Sequence, residues 1–123
     1  PIQYALTYPD RYEGIETESF DFIKAAKLEF FEPDYKKFPS LNLAFEAGIK
    51  GGTYTVCLNA ANEEAVLAFL EGKLRFFDIY NVTKKVFDSY ISINNPTIEQ
   101  ILKEDDKIRK QTRDIIDRMQ ALI

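Results

Sequence analysis

Residues 53–70 read TYTVCLNAANEEAVLAFL, and this stretch decides the fold. Thr53 or Thr55 is placed to cap a helix in which Leu58, Ala61, Ala65, Ala68 and Phe69 recur at three- and four-residue spacing, up to a stop at Gly72. So much alanine on one helix predicts neighbours at close approach.

Working outward, Pro39 suits a first helical turn, and Leu41, Leu43, Ala44, Phe45, Ala47 and Gly48 then surround most of a short helix ended by Gly51-Gly52. On the other side, Ile79, Val82, Val86 and Tyr90 predict a helix over about 77–90, with Asp78 favouring its positive end. Thr97 caps a last helix running from Ile98 toward the C-terminus, with Glu99 and Gln100 in its first turn. Unbroken, it would reach ~40 Å.

The first third reads differently. Pro1 and Pro9 bracket room for two helical turns, and 10–19 is polar, carries Gly14 and reads as an irregular connection. Residues 26–31 (AKLEFF) alternate, with Leu28 and Phe30 on one side and Lys27 and Glu29 on the other, before Pro33-Asp34 stops them. This is the best strand candidate, and a lone strand leaves its backbone groups unpaired, so its partner is expected outside the chain. The fold expected is mainly α, a small bundle of three to four helices (36–123) preceded by an extended connecting arm with one strand (1–35). No internal repeat is visible.

Composition narrows the chemistry. The 123 residues contain no His and one Cys, so neither a His/Cys zinc site, nor a Cys-His pair, nor an internal disulfide can be built. With 20 acidic against 16 basic residues and a net charge of −4, there is no basic footprint for nucleic acid. The longest apolar run, Ala65 to Leu70, is far short of the ~20 residues of a membrane helix, and no charged-then-apolar leader opens the chain. A soluble, cytoplasmic protein is expected. The start at Pro1 fits either Met removal or a piece of something longer.

Four constellations merit weighing. Asn59, Asn62 and Glu63 form a polar stripe that either binds substrate or, as the stronger reading, is a structural motif hydrogen-bonding a neighbouring backbone. Glu104-Asp105-Asp106 invites a hard-metal site. However, Asp105/Arg109, Asp106/Lys110 and Asp114/Arg118 lie four apart over a seven-residue repeat of Ile101, Ile108, Ile115 and Leu122, which reads as a solvated face over a packed stripe. Cys57, between Val56 and Leu58, reads as a buried, inert thiol. Phe30, Phe31, Tyr35 and Phe38 either stack a ligand or pack the arm, and packing is the more economical account.

The residues also resemble a known family, the C-terminal part of 1-deoxy-D-xylulose 5-phosphate reductoisomerases. The likeness is carried by the opening PIQYALTYPDR, by Leu28, Phe30 and Pro33-Asp34, and by Phe38-Pro39-Ser40-Leu41 with Leu43-Ala44 and Glu46-Ala47-Gly48. It continues through Gly51-Gly52, 58–63 (LNAANE), Ala65-Val66, Ala68-Phe69-Leu70 and Phe77-Asp78-Ile79. Ser40 stands where many members have Cys. The resemblance implies a homodimeric parent with a nicotinamide-binding domain, a catalytic domain and this helical domain. That parent would use NADPH and Mg2+, Mn2+ or Co2+ to convert 1-deoxy-D-xylulose 5-phosphate to 2-C-methyl-D-erythritol 4-phosphate in non-mevalonate isoprenoid biosynthesis. The family's metal, cofactor and phosphate motifs lie upstream of Pro1, so no catalytic, cofactor-binding or metal residue is carried over and the fragment is expected to bind none of these groups. Its expected role is to brace the catalytic domain of the same polypeptide. The alternative is a stand-alone helical protein-interaction module. A third reading, a small carboxylate-metal enzyme, would need tight divalent binding.

Overall fold

A computed structural model describes residues 2–11 and 20–121 and divides the chain after Glu32 into two compact units. The expected irregular connection over 10–19 lies for the most part outside the described residues, as does Leu122 of the predicted repeat.

In the first unit α1 (Ile2–Thr7) fills the space between the prolines and buries nothing. A single turn, α2 (Phe22–Ala25), escaped the sequence reading. Its signal was Asp21, whose Oδ1 accepts from the Ile23 and Lys24 amides at 2.8 and 3.2 Å. The turn ends where Ala26 takes φ +52°. Residues 26–31, predicted as a strand, run without regular secondary structure, because no second strand among the described residues pairs with them. Lys27 pairs with Glu29, two residues on, while Leu28 and Phe30 stay exposed.

The second unit is a four-helix bundle of α3 (Ser40–Lys50), α4 (Tyr54–Leu70), α5 (Phe76–Asp88) and α6 (Ile98–Gln120). Asp34 opens it with a turn in which Oδ1 accepts from the Lys36 and Lys37 amides, both at 3.0 Å. Helix α4 is central and packs against the other three. Cys57, Ala60, Ala61, Ala65 and Ala68 form its buried face, and alanine is what lets three helices approach one cylinder. One core joins Leu43, Ala47, Cys57, Ala60 and Ala61 to Val86, Phe87, Tyr90 and Ile108. A second joins Ala65, Ala68, Leu74, Val82 and Ile116.

Helix ends follow local chemistry with two departures from expectation. Thr97 and Gln100 form the reciprocal cap predicted for α6, Gln100 N–H donating to Thr97 Oγ1 at 3.2 Å and Thr97 N–H to Gln100 Oε1 at 2.8 Å. Thr53 precedes α4 but does not cap it with its side chain, which is committed elsewhere. Helix α5 starts one residue early and stops at Asp88, leaving Tyr90 buried just beyond its end. In α6 the buried stripe is Glu104, Ile108, Thr112 and Ile116, spaced by four rather than seven. Ile101 and Ile115 are only half-buried, as fits an ordinary α-helix packed inside a bundle instead of a two-stranded coil.

Candidate functional site

Asn59, Asn62 and Glu63 project from the face of α4 opposite its alanines, and all three are exposed. Among the described residues none of them makes the predicted bond to a neighbouring backbone. Asn59 Nδ2 donates to Glu63 Oε1 at 3.2 Å, and Glu63 Oε2 accepts from Arg109 Nη2 at 2.6 Å. Asn62 has no partner among the described residues. Once Ala60, Ala61 and Ala65 fill the core side, the Asn positions fall on the outer one.

Arg109 ties α4 to α6. Besides Glu63, its guanidinium bonds Asp105 at 2.7 Å and reaches Glu64 at 3.4 Å, and Arg113 adds a 2.9 Å bridge to Glu64. These bonds, led by the one to Asp105, raise the Arg109 pKa, and Arg109 in turn, with Asn59, holds the Glu63 carboxyl below its usual range. Of the other two pairs expected four apart, Asp106/Lys110 and Asp114/Arg118, neither closes among the described residues. Both lie on exposed surface, where such pairs gain little. Among the described residues no cluster of three or more His, Cys, Asp or Glu is arranged to hold a metal ion, and no helix is long and apolar enough to cross a membrane.

A buried polar chain fixes the turn before α4 to the segment after α5. Thr53 Oγ1 lies 2.6 Å from Tyr90 Oη and accepts from Ile93 N–H at 2.9 Å, while Tyr90 donates to Glu104 Oε2 at 3.1 Å. Ser92 Oγ accepts from Thr53 N–H at 2.9 Å, and Lys107 approaches Glu104 at 3.2 Å. Burial raises the Tyr90 pKa to about 12, the Thr53 bond opposing and Glu104 reinforcing the shift. Burial, aided by Glu104, likewise pushes the Cys57 thiol up to about 12, so it is protonated and shielded at neutral pH.

The surface feature that site-by-site reading missed is on α3. Leu43 and Ala47 face the core, yet Leu41, Phe45 and Ile49 form an exposed row one helical turn apart. Ala44 and Gly48 lie between that row and a groove of about 380 Å³ against α4, lined by Ser40, Ala44, Ala47, Gly48, Thr55, Leu58, Asn59 and Asn62. The signal was present in the sequence as apolar residues around most of the α3 cylinder, whereas among the helices α3 meets chiefly α4.

Comparison with known proteins gives a consistent result. Residues 1–111 match the family described as the DXP reductoisomerase C-terminal domain. A 1-deoxy-D-xylulose 5-phosphate reductoisomerase of Shouchella clausii is 43% identical over 111 residues, which are 90% of this chain and 29% of the relative. That of Pelotomaculum thermopropionicum is 48% identical over 108 residues, 85% of this chain and 27% of the relative. Among solved structures, the Zymomonas mobilis enzyme in complex with NADPH superposes with a TM-score of 0.81 at 37% identity, over 94% of this chain and 30% of that one. A reductoisomerase in complex with NADPH, fosmidomycin and magnesium gives 0.79 at 32% identity, over 96% of this chain and 31% of that one. The chain thus spans about 30% of the length of the proteins it matches.

Proposed function

Because the chain belongs to the DXP reductoisomerase C-terminal domain family, we propose that it is the helical C-terminal domain of a reductoisomerase and braces that enzyme's catalytic part without entering the chemistry. The parent is then an NADPH- and divalent-metal-dependent, homodimeric, cytoplasmic enzyme that converts 1-deoxy-D-xylulose 5-phosphate to 2-C-methyl-D-erythritol 4-phosphate. Residues 1–35 serve as its connecting segment and 36–123 as its terminal bundle. Residues 26–31 add as a strand to the sheet of the catalytic domain, which satisfies their backbone and covers Leu28 and Phe30.

The observation that carries this reading is the exposed row Leu41, Phe45 and Ile49, at 39%, 63% and 86% exposure, on a helix with an apolar interior face as well. A helix apolar on both sides belongs inside a larger protein. Asn59, Asn62 and Glu63 act in this reading as structural residues. The test is NADPH oxidation with 1-deoxy-D-xylulose 5-phosphate, measured for the full polypeptide and for this chain alone. Turnover is expected only from the full polypeptide, and turnover by the isolated chain overturns the proposal.

A further inference from the structure

Gly48 is the ninth residue of the eleven-residue α3, in its last turn but three residues short of the Gly51 that ends the helix, and nothing among the described residues explains it. A Cβ built there meets no heavy atom within 4 Å beyond its own helix, and its φ is not in the left-handed region. Glycine is the poorest helix former after proline, so an alanine at this position would improve the helix at no steric cost. The helix therefore carries a local destabilisation for which the described residues supply no reason. Glycine is otherwise used on a helix where another backbone comes too close for a side chain.

The space beside Gly48 has the chemistry for that. Ala44 and Ala47 continue the low floor, while the carboxamides of Asn59 and Asn62 and the hydroxyls of Ser40 and Thr55 line the same groove. A carboxamide offers both donors and an acceptor, the complement of a peptide group. Asn62 has no partner among the described residues, and Leu41 and Phe45 extend the apolar surface past the groove's edge. About 70% of the length of the relatives has no counterpart here, and the matched family is a C-terminal domain, so in those relatives most of the remainder precedes the matched part.

We infer that the α3–α4 groove receives a non-helical main-chain segment from the preceding part of the same polypeptide. Its backbone passes over Gly48, and its peptide groups bond Asn59 and Asn62. This rests on the bracing reading and specifies where the brace is keyed.

The test uses the full-length polypeptide and reads thermal midpoint and turnover for Gly48→Ala, Gly48→Leu, Asn62→Ala and Phe45→Asp. With the groove filled, Gly48→Ala lowers the midpoint by several degrees, Gly48→Leu lowers it further, and Asn62→Ala lowers it although alanine is the better helix former. Turnover falls with them. With the groove open, helix propensity acts alone and Gly48→Ala raises the midpoint by about 2 °C, which overturns the inference. If Phe45→Asp lowers midpoint and turnover while Gly48→Ala raises the midpoint, bracing stands and the keyed groove falls. If Phe45→Asp changes neither, the bracing reading fails and takes the groove with it. Shifts that vanish on dilution assign the groove to a second copy and also overturn the inference.

Discussion

Thr53 Oγ1 and Tyr90 Oη lie 2.6 Å apart across 37 residues of sequence, and through them the turn before α4 is bonded to the chain leaving α5. Tyr90 donates to Glu104, so Thr53 donates to Tyr90 and uses its lone pairs for Ile93 N–H. Thr53, Tyr90 and Glu104 are buried, and no buried side-chain polar atom among the described residues lacks a partner. Removing Tyr90 Oη takes one partner from each of its two neighbours. Tyr90→Phe is expected to cost about 1–3 kcal/mol, because Glu104 and Thr53 each lose a partner in a dry site. Thr53→Val leaves the Ile93 amide unpaired as well. Urea unfolding of both variants checks this, and the double variant should cost less than the sum of the singles.

Gly52 stands where that chain is tightest. It takes φ +54°, and a Cβ there would sit 2.6 Å from both Ile93 O and Ser92 Oγ. The oxygen of Ile93 is backbone and cannot rotate away, so Gly52→Ala meets strain and collision together. A loss of roughly 2 kcal/mol or more in unfolding free energy is expected. Gly72→Ala, at φ +74° with open space around it, should cost less, since it meets the backbone strain alone.

Much of the bundle was legible in the sequence for reasons that stay local. The 53–72 helix, the Thr97 cap and the burial of Cys57 each follow from periodicity or capping within a few residues. What was not legible depended on partners distant in sequence. Thr53 looked like a cap, but its hydroxyl is drawn to Tyr90, and no spacing rule links residues 37 apart. Asn59 and Asn62 looked suited to bonding a neighbouring backbone, and only the packing of α4 against three helices shows that their side of that cylinder is outside. The 26–31 segment alternates correctly yet forms no strand, since a strand is a property of a pair of segments.

Asp78 is the third residue of α5, and its carboxylate accepts from Arg75 N–H at 3.1 Å and Arg75 Nε at 3.0 Å. These bonds, the Arg75 side chain first, hold its pKa below the usual carboxylate range. A lowered folded pKa means stability that is present above the unfolded carboxyl value and lost as pH falls through the folded one. Asp78→Asn should therefore cost about 1 kcal/mol at pH 7 and flatten the acid limb of the stability curve below about pH 4. Urea midpoints at pH 7, 4 and 3 give the comparison, and an unchanged slope on the acid side contradicts it.

Arg109 reaches carboxylates on two helices, so its loss should act on geometry as well as charge. Arg109→Ala is expected to reduce stability by about 1 kcal/mol at low salt and by less at 1 M salt, since the cluster is partly exposed and screened. The more specific readout is Glu63, whose carboxyl pKa is held down first by Arg109 and then by Asn59. An NMR titration should show it rise in Arg109→Ala and rise less in Asn59→Ala. A Glu63 titration indifferent to Arg109 would contradict the 2.6 Å contact.

The onset of the alkaline limb of stability belongs to Cys57 and Tyr90, whose ordinary values lie below the lysine range. Burial lifts the thiol from 9.0 and the phenol from 10.0, each to about 12, so both stay protonated in the folded state where the unfolded chain has already released its protons. For a raised folded pKa, the contribution is complete below the unfolded value and disappears as pH rises through the folded one. Stability should thus fall from about pH 9 and keep falling to about pH 12, with Glu104, the carboxylate near both groups, reinforcing each shift. Cys57→Ala separates the two contributions. It costs some packing at pH 8, where the site is fully buried, but its urea midpoint should hold level to about pH 10, one unit beyond the onset in the parent chain. Over the same range a thiol reagent should modify Cys57 slowly in the folded protein and at once in urea. Equal onset of alkaline loss in the two proteins would show that the thiol is not the group being titrated.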